Sequence, residues 1–172
     1  LLMPLLMGQL SQAGVKMEDV SVIVGTGMHR SPTSEEMATL LGAELAAQVK
    51  VVSHNCKAED LTYAGDTNSG TKVYLNKEFM TADVRVLTGD VELHYFAGYG
   101  GGRKSVLPGV SGAQTIAHNH ALLLHPKAQP GVLDGNPVSE DMAEAAEMAK
   151  VDFILNVVLN SKNEIVRAFS GN

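Results

Sequence analysis

Three short stretches of this 172-residue chain collect the side chains able to move a proton, hold an anion or bind a metal. The first reads Gly25-Thr26-Gly27-Met28-His29-Arg30. Imidazole exchanges a proton near neutral pH, and guanidinium can grip a carboxylate through two parallel hydrogen bonds. The two glycines let the backbone turn sharply or come close to a ligand. An ordinary surface turn would read the same way.

The second stretch is His94-Tyr95-Phe96-Ala97-Gly98-Tyr99-Gly100-Gly101-Gly102-Arg103-Lys104-Ser105. Its latter half nearly spells a P-loop, but Arg103 stands where that motif needs glycine. Pro108 also falls where the following helix should be running. A nucleotide-hydrolase reading is therefore rejected. What remains is an amide-rich loop suited to phosphate or carboxylate, with Gly101, Gly102 and Arg103 next to the Lys104 amine. A neighbouring guanidinium lowers the proton affinity of such an amine and makes it a better nucleophile. Tyr95, Phe96 and Tyr99 would be out of place in a plain flexible linker.

The third is His118-Asn119-His120, expected on a helix. Residues two apart point to different faces, so the two histidines make a poor metal clamp. His120 shares the apolar face with Ile116 and Leu124, either as a satisfied core residue or as a single ligand. His54 and His125 carry weaker signals, and no role is assigned to them.

The elements that must position these loops follow from periodicity and punctuation. Leu5, Leu6, Leu10 and Val15 suit the stripe of a short helix ending at Gly14. Strands are expected over 20–24, 50–53, 72–75 and 84–88, with turn chemistry at 66–70. Thr33 and Glu36 form a possible capping box for a helix reaching Leu41, closed by Gly42. Helices are expected over 114–124 and from Asn136-Pro137 onward, the latter with Val138, Met142, Ala145 and Ala149 inward. Strands over 153–159 and 164–169 close the chain around a polar turn at 160–163. The long stretch 89–109 reads as an irregular functional loop. The alternation predicts a layered α/β domain with a mainly parallel sheet, helices on both faces and a C-terminal β-hairpin. Ligands in such folds gather beyond the carboxyl ends of strands, where the first two loops fall.

Composition narrows the function. A net charge of −6 without a lysine and arginine stripe argues against a nucleic-acid surface. No apolar run approaches the length of a membrane-spanning helix, and Leu1 to Leu10 lack the basic start of a targeting segment. The single cysteine, Cys56, fits a reducing, cytoplasmic compartment.

Taken together, four groups of residues resemble the nickel-pincer lactate racemases in order and spacing. They are Gly25-Thr26-Gly27-Met28-His29-Arg30; His94-Tyr95-Phe96-Ala97-Gly98 with Gly101-Gly102-Arg103-Lys104-Ser105; Leu107-Pro108-Gly109; and Thr115-Ile116 with Asn119-His120. The likeness continues to Asn136-Pro137 and Asp152-Phe153. It implies a cofactor, a pyridinium mononucleotide whose thioamide and thiocarboxylate groups grip nickel through sulfur, carbon and sulfur. It further implies that Lys104 bonds covalently to that group and that His120 ligates nickel. Gly101, Gly102 and Arg103 would border the group, and His29 and His94 would be the two acid/base groups while hydride leaves and returns to a 2-hydroxy acid. Cofactor-synthesis proteins are the implied partners. Imidazole suits nickel, and two histidines can serve two enantiomers.

The sequence departs from the family at Leu93, where proline is common, and at Gly100, where serine is common; either change could loosen the loop or alter phosphate contacts. Family chains are also longer, adding an upstream segment and a second domain. Residues 1–172 are accordingly expected to be one α/β domain, a fragment of a two-domain chain and inactive alone. From a different class, a non-catalytic module binding a phosphate-bearing metabolite would use the same glycine loop.

Overall fold

A computed structural model gives the fold, described for residues 2–171. Helix α1 (Met3–Gln12) carries Pro4 in its first turn, where the missing N–H has no intrahelical partner to lose. Met3, Leu6, Met7 and Leu10 form its inward stripe. Leu5, 65% exposed, lies off that stripe, and Val15 lies beyond the helix end. Strand β1 (Ser21–Val24) follows a single 3-10 turn. Helix α2 (Ser34–Leu41) starts on the expected capping box. The Thr33 hydroxyl accepts the Glu36 N–H at 3.3 Å, and the Glu36 carboxylate accepts the Thr33 N–H at 2.8 Å. Gly42, at φ +85°, separates it from α3 (Ala43–Gln48), a helix the sequence reading missed. Strand β2 (Lys50–Ser53) then pairs parallel with β1.

Strands β3 (Thr62–Asp66) and β4 (Lys72–Leu75) make an antiparallel hairpin around the 66–70 turn. Helix α4 (Lys77–Thr81) is capped by Asn76, whose side chain accepts the Phe79 N–H at 3.0 Å. Strand β5 (Val86–Asp90) begins two residues later than expected, because the Arg85 N–H donates to the Asp152 carboxylate at 2.8 Å instead of to a strand carbonyl. The Arg85 guanidinium donates to the carbonyls of Phe79 and Met80 at 3.0 and 2.7 Å. The stretch read as irregular contains a small ladder, β6 (Leu93–His94) with β7 (Gly98–Tyr99), and a 3-10 turn at Gly102–Ser105.

Helix α5 (Ala113–Ala121) tightens into a 3-10 turn at Leu122–Leu124. The tighter turn rotates Leu124 off the apolar face, leaving it 86% exposed instead of packed beside Ile116. Ala117 is exposed as well. Helix α6 (Pro137–Met148) starts at Asn136, whose side chain accepts the N–H groups of Val138 and Ser139. Strands β8 (Phe153–Leu159) and β9 (Ile165–Gly171) form the C-terminal antiparallel hairpin.

The α/β class is as expected, with parallel pairing in β1–β2 and in β5–β8. Among the described residues the strands divide into four small sheets, of which β5–β8–β9 is the widest. Two hydrophobic clusters accompany this division. One joins α1, α3, β1 and β2 around Met7, Leu45 and Val49. The other fills the space among β4, β5, α5 and α6 around Val73, Leu75, Leu107, Ile116 and Met142. Inside the second, the Asp141 carboxylate accepts from the hydroxyls of Thr67 and Thr71 and from the Asn119 amide, binding the β3–β4 hairpin to α5 and α6. A buried polar group is costly unless it finds such hydrogen-bond partners. No helix among the described residues is long and apolar enough to cross a membrane.

Candidate active site

The loop 25–30 leaves the carboxyl end of β1 and is fixed against the turn 105–110. The Gly27 N–H donates to the Gly109 carbonyl at 2.9 Å, and the Thr26 hydroxyl donates to the His54 carbonyl at 3.0 Å. A Cβ at Gly25 would sit 3.2 Å from the Gly109 backbone, and one at Gly109 would overlap the Ser105 carbonyl. Glycine is thus required where the two loops cross. His29 is exposed at the tip, its N–H donating to the Thr26 carbonyl at 2.9 Å. Arg30 does not stay available for a ligand carboxylate. It forms a two-pronged pair with Glu36, both bonds 2.7 Å long, and the Glu36 carboxyl is drawn down to about 2 by that guanidinium.

Lys104 lies in the 3-10 turn that follows the glycines. Burial lowers the proton affinity of its amine; Glu92 opposes this, Arg103 reinforces it and Asp90 opposes it. Arg103 is half-buried and donates to the Ala97 carbonyl at 2.9 Å, while its Nε is buried without a partner. Burial also lowers the pKa of this guanidinium. Gly101 and Gly102 have φ of +75° and +50°, a left-handed pair that favours glycine. A Cβ at Gly101 would fall 3.0 Å from the Asp90 carbonyl.

His120 is half-buried on α5, and Phe96 stands edge-on to it, ring centroids 5.1 Å apart. Phe96 also meets His94 edge-on at 4.5 Å, and Tyr95 stacks on His94 at 4.7 Å. The Nδ1 of His94 accepts the Ala97 N–H at 3.2 Å. Neutral His94 therefore carries its proton on Nε2, and Nε2 is the atom left for a ligand. Burial lowers the pKa of His94, with further lowering from Lys104, His120 and Arg103; burial and then Lys104 do the same to His120.

His29, Gly101, Lys104 and His120 all line one cavity of about 920 Å³, together with Asp90, Glu92 and Ser105. His94 and Arg103 stand close by: Lys104, His120 and Arg103 all act on His94, and Arg103 acts on Lys104. Gly102 rests against Asn156 instead: a Cβ there would come 3.7 Å from the Asn156 Nδ2. The other histidines stay outside. His54 is 2% exposed, with Nε2 2.8 Å from the Ser111 carbonyl and Nδ1 3.4 Å from the Asn76 amide, so both ring nitrogens serve the fold. His118 and His125 are exposed. The sequence reading missed Asn156, on β8 beneath the glycine loop, whose Oδ1 is buried without a partner. Its signal was a lone amide in an apolar run. Asp90 and Glu92 were missed as well, having no motif around them.

Residues 1–131 match the family model described as the lactate racemase N-terminal domain. The chain belongs to the lactate racemase family. It is 40% identical over 172 residues to a lactate racemase of Thermoanaerobacterium thermosaccharolyticum, a match covering 98% of this chain and 40% of that protein. It is 37% identical over 155 residues to a lactate racemase of Lactiplantibacillus plantarum, covering 88% of this chain and 37% of that protein. The chain thus spans about two fifths of the curated lactate racemases it matches. The lactate racemase apoprotein structure from T. thermosaccharolyticum superposes with a TM-score of 0.87 at 41% identity, over 90% of this chain and 38% of that one. A Thermotoga maritima crystal structure shares the fold, with a TM-score of 0.77 at 23% identity, over 94% of this chain and 43% of that one.

Proposed function

We propose that this chain is the cofactor-holding domain of a racemase or epimerase of a 2-hydroxy acid such as lactate, working in the cytoplasm as part of a longer two-domain protein. The observation that carries this reading is that Lys104, His120 and His29 line one cavity, in a chain of the lactate racemase family.

The cofactor of this reading is the nickel pincer mononucleotide, tethered through Lys104. The residues present suit such a group. Lys104 offers an amine whose proton affinity burial has reduced, the state a covalent bond to carbon requires. His120 offers a single imidazole, kept neutral by burial, as a metal ligand must be. One imidazole beside one amine complements a group that brings its own sulfur donors. When bound, that group supplies the carbon that takes up hydride from the substrate and returns it.

The chain's own side chains handle the proton. His29 and His94 act as the two acid/base groups, one for each enantiomer. His94 meets the substrate oxygen through Nε2; to take up a proton there, the ring must first move its own proton to Nδ1 and release the Ala97 N–H. Gly101, Gly102 and Arg103 border the group on the loop side, where their amides suit an anion. Phe96, edge-on to the imidazoles of His94 and His120, holds those two rings apart.

The test is co-expression of the parent protein with cofactor-synthesis proteins, followed by intact mass measurement and nickel analysis. A mass adduct that vanishes in Lys104→Ala, with nickel lost in His120→Ala, supports the reading. Absence of any adduct in the parent protein favours a binding module for a phosphate-bearing metabolite. Ready exchange of the substrate's carbon-bound hydrogen with solvent would replace hydride return by proton abstraction.

A further inference from the structure

From Phe153 to Leu159, strand β8 is apolar except at Asn156. Asn156 is 4% exposed, and its Oδ1 finds no donor among the described residues. A buried acceptor left unpaired is costly, and a leucine of similar size would avoid that cost. The carboxamide is surrounded by backbone that carries no side chains. Gly89 is its register partner on β5, and Gly101 and Gly102 of the glycine loop lie against it. A Cβ added to Gly89 would sit 3.5 Å from Oδ1, one on Gly101 3.5 Å from Cγ, and one on Gly102 3.7 Å from Nδ2.

Donors without acceptors stand in the same place. Among the described residues, the N–H groups of Gly101 and Gly102 reach no backbone acceptor. Gly101 is also where the turn bearing Lys104 begins. Its carbonyl accepts the Lys104 N–H at 3.2 Å, while the Lys104 carbonyl accepts the Gly109 N–H at 3.0 Å. The backbone that aims the amine is thus held at one end by Gly109 and at the other by a glycine seated on Asn156.

We infer that Asn156 is a positioning residue for Lys104: its carboxamide oxygen takes the N–H of Gly101 or Gly102 and so fixes the turn that carries the amine. The motion required is small. The terminal torsion of an asparagine is broad and roughly two-fold, so a half-turn carries the oxygen from the Gly89 side to the Gly102 side. The same half-turn sends Nδ2 to the Gly89 side. There the Ser105 Oγ, 3.7 Å from the Cβ position of Gly89, can accept from it while still donating to the Thr88 carbonyl. That Lys104 is the amine to be aimed rests on the function proposed above, whereas the bond beneath the loop does not.

Amide exchange in the parent protein without cofactor, read residue by residue, tests that bond. The N–H of Gly101 or Gly102 should exchange at least about tenfold more slowly than in Asn156→Leu, with β8–β9 amides alike in both proteins. Asn156→Asp keeps an oxygen in place and should keep the protection. Lys104, labelled with acetic anhydride, should lose about threefold or more of its rate in Asn156→Leu as the turn that aims it loosens. The exposed Lys57 and Lys162 should hold their rates, and the thermal midpoint should not fall, because the variant removes an unpaired buried oxygen. Exchange of both glycine amides in the parent at the rate of an unstructured chain overturns the inference, even if neither variant folds. Equal exchange in the parent and Asn156→Leu overturns it, as does loss of protection in Asn156→Asp. A falling midpoint with all three lysines speeding up together marks a merely structural residue and overturns it too. Absence of a cofactor adduct leaves these exchange rates untouched and bears on the proposed function alone.

Discussion

The Asn119 side-chain amide donates to the Asp141 carboxylate at 2.8 Å, and neither residue reaches solvent. Asn119 immediately precedes His120, so this bond fixes the rotation of α5 that turns His120 toward the cavity. Asp141→Ala would strand the hydroxyls of Thr67 and Thr71 and the Asn119 amide at once. It should destabilise the chain by about 3–5 kcal/mol, read from urea denaturation. A loss below about 1 kcal/mol would show that the network does not hold the helices together.

Three histidines make stability depend on pH. Burial is the largest cause holding His54, His94 and His120 below their ordinary pKa. Below about pH 6.5 the unfolded chain therefore binds more protons than the folded one, and stability falls as the pH drops from there towards the lowered folded values. Thermal midpoints measured between pH 7 and 5 should decline, and His54→Asn should flatten that decline. An unchanged slope in the variant would exclude His54 from the effect.

Much of this architecture was legible in residue patterns. Thr33 with Glu36 and Asn136-Pro137 are local signals, and local hydrogen bonding realises both; the short apolar runs at 50–53 and 72–75 become strands by pairing with β1 and β3. That His29 and Lys104 share a cavity was legible from the place of both loops beyond strand ends and from the family resemblance, but the contact of loop 25–30 with Gly109 is long-range and left no local signal. Leu5 and Leu124 misled for a common reason. Apolar periodicity assumes an unbroken α-helix with a covered face, whereas α5 ends in a 3-10 turn and the outer side of α1 is open. Asn156 near the glycine loop, and Asp141 with Thr67 and Thr71, act across more than 40 residues of chain, and no short motif announces such partners.

Lys104 should be the reactive amine of the chain. Burial lowers its proton affinity, while Glu92 counteracts the shift. Competitive labelling with acetic anhydride, read by peptide mass across pH 7–10, should show Lys104 half-reactive below the ordinary lysine value of about 10.4. Glu92→Gln removes a charge that favours the ammonium and should move that midpoint lower still. A midpoint that rises in Glu92→Gln would contradict the electrostatics described for this cavity.

The crossing of loops 25–30 and 105–110 yields the sharpest contrast between two glycines. Gly109 donates its N–H to the Lys104 carbonyl at 3.0 Å and accepts from Gly27 at 2.9 Å, with no room for a Cβ against the Ser105 carbonyl. Gly8, inside α1, has nothing within 4 Å of an added Cβ. Gly109→Ala must push the turn apart and should cost about 2 kcal/mol or more, whereas Gly8→Ala should be neutral or stabilise by up to about 1 kcal/mol. Opening that turn also releases the His29 loop, so cleavage by trypsin after Arg30 should accelerate in Gly109→Ala and stay at the parent rate in Gly8→Ala. Equal stability and equal cleavage in the two variants would mean that the loop carrying His29 is not locked to the turn carrying Lys104, and the shared cavity would lose its mechanical basis.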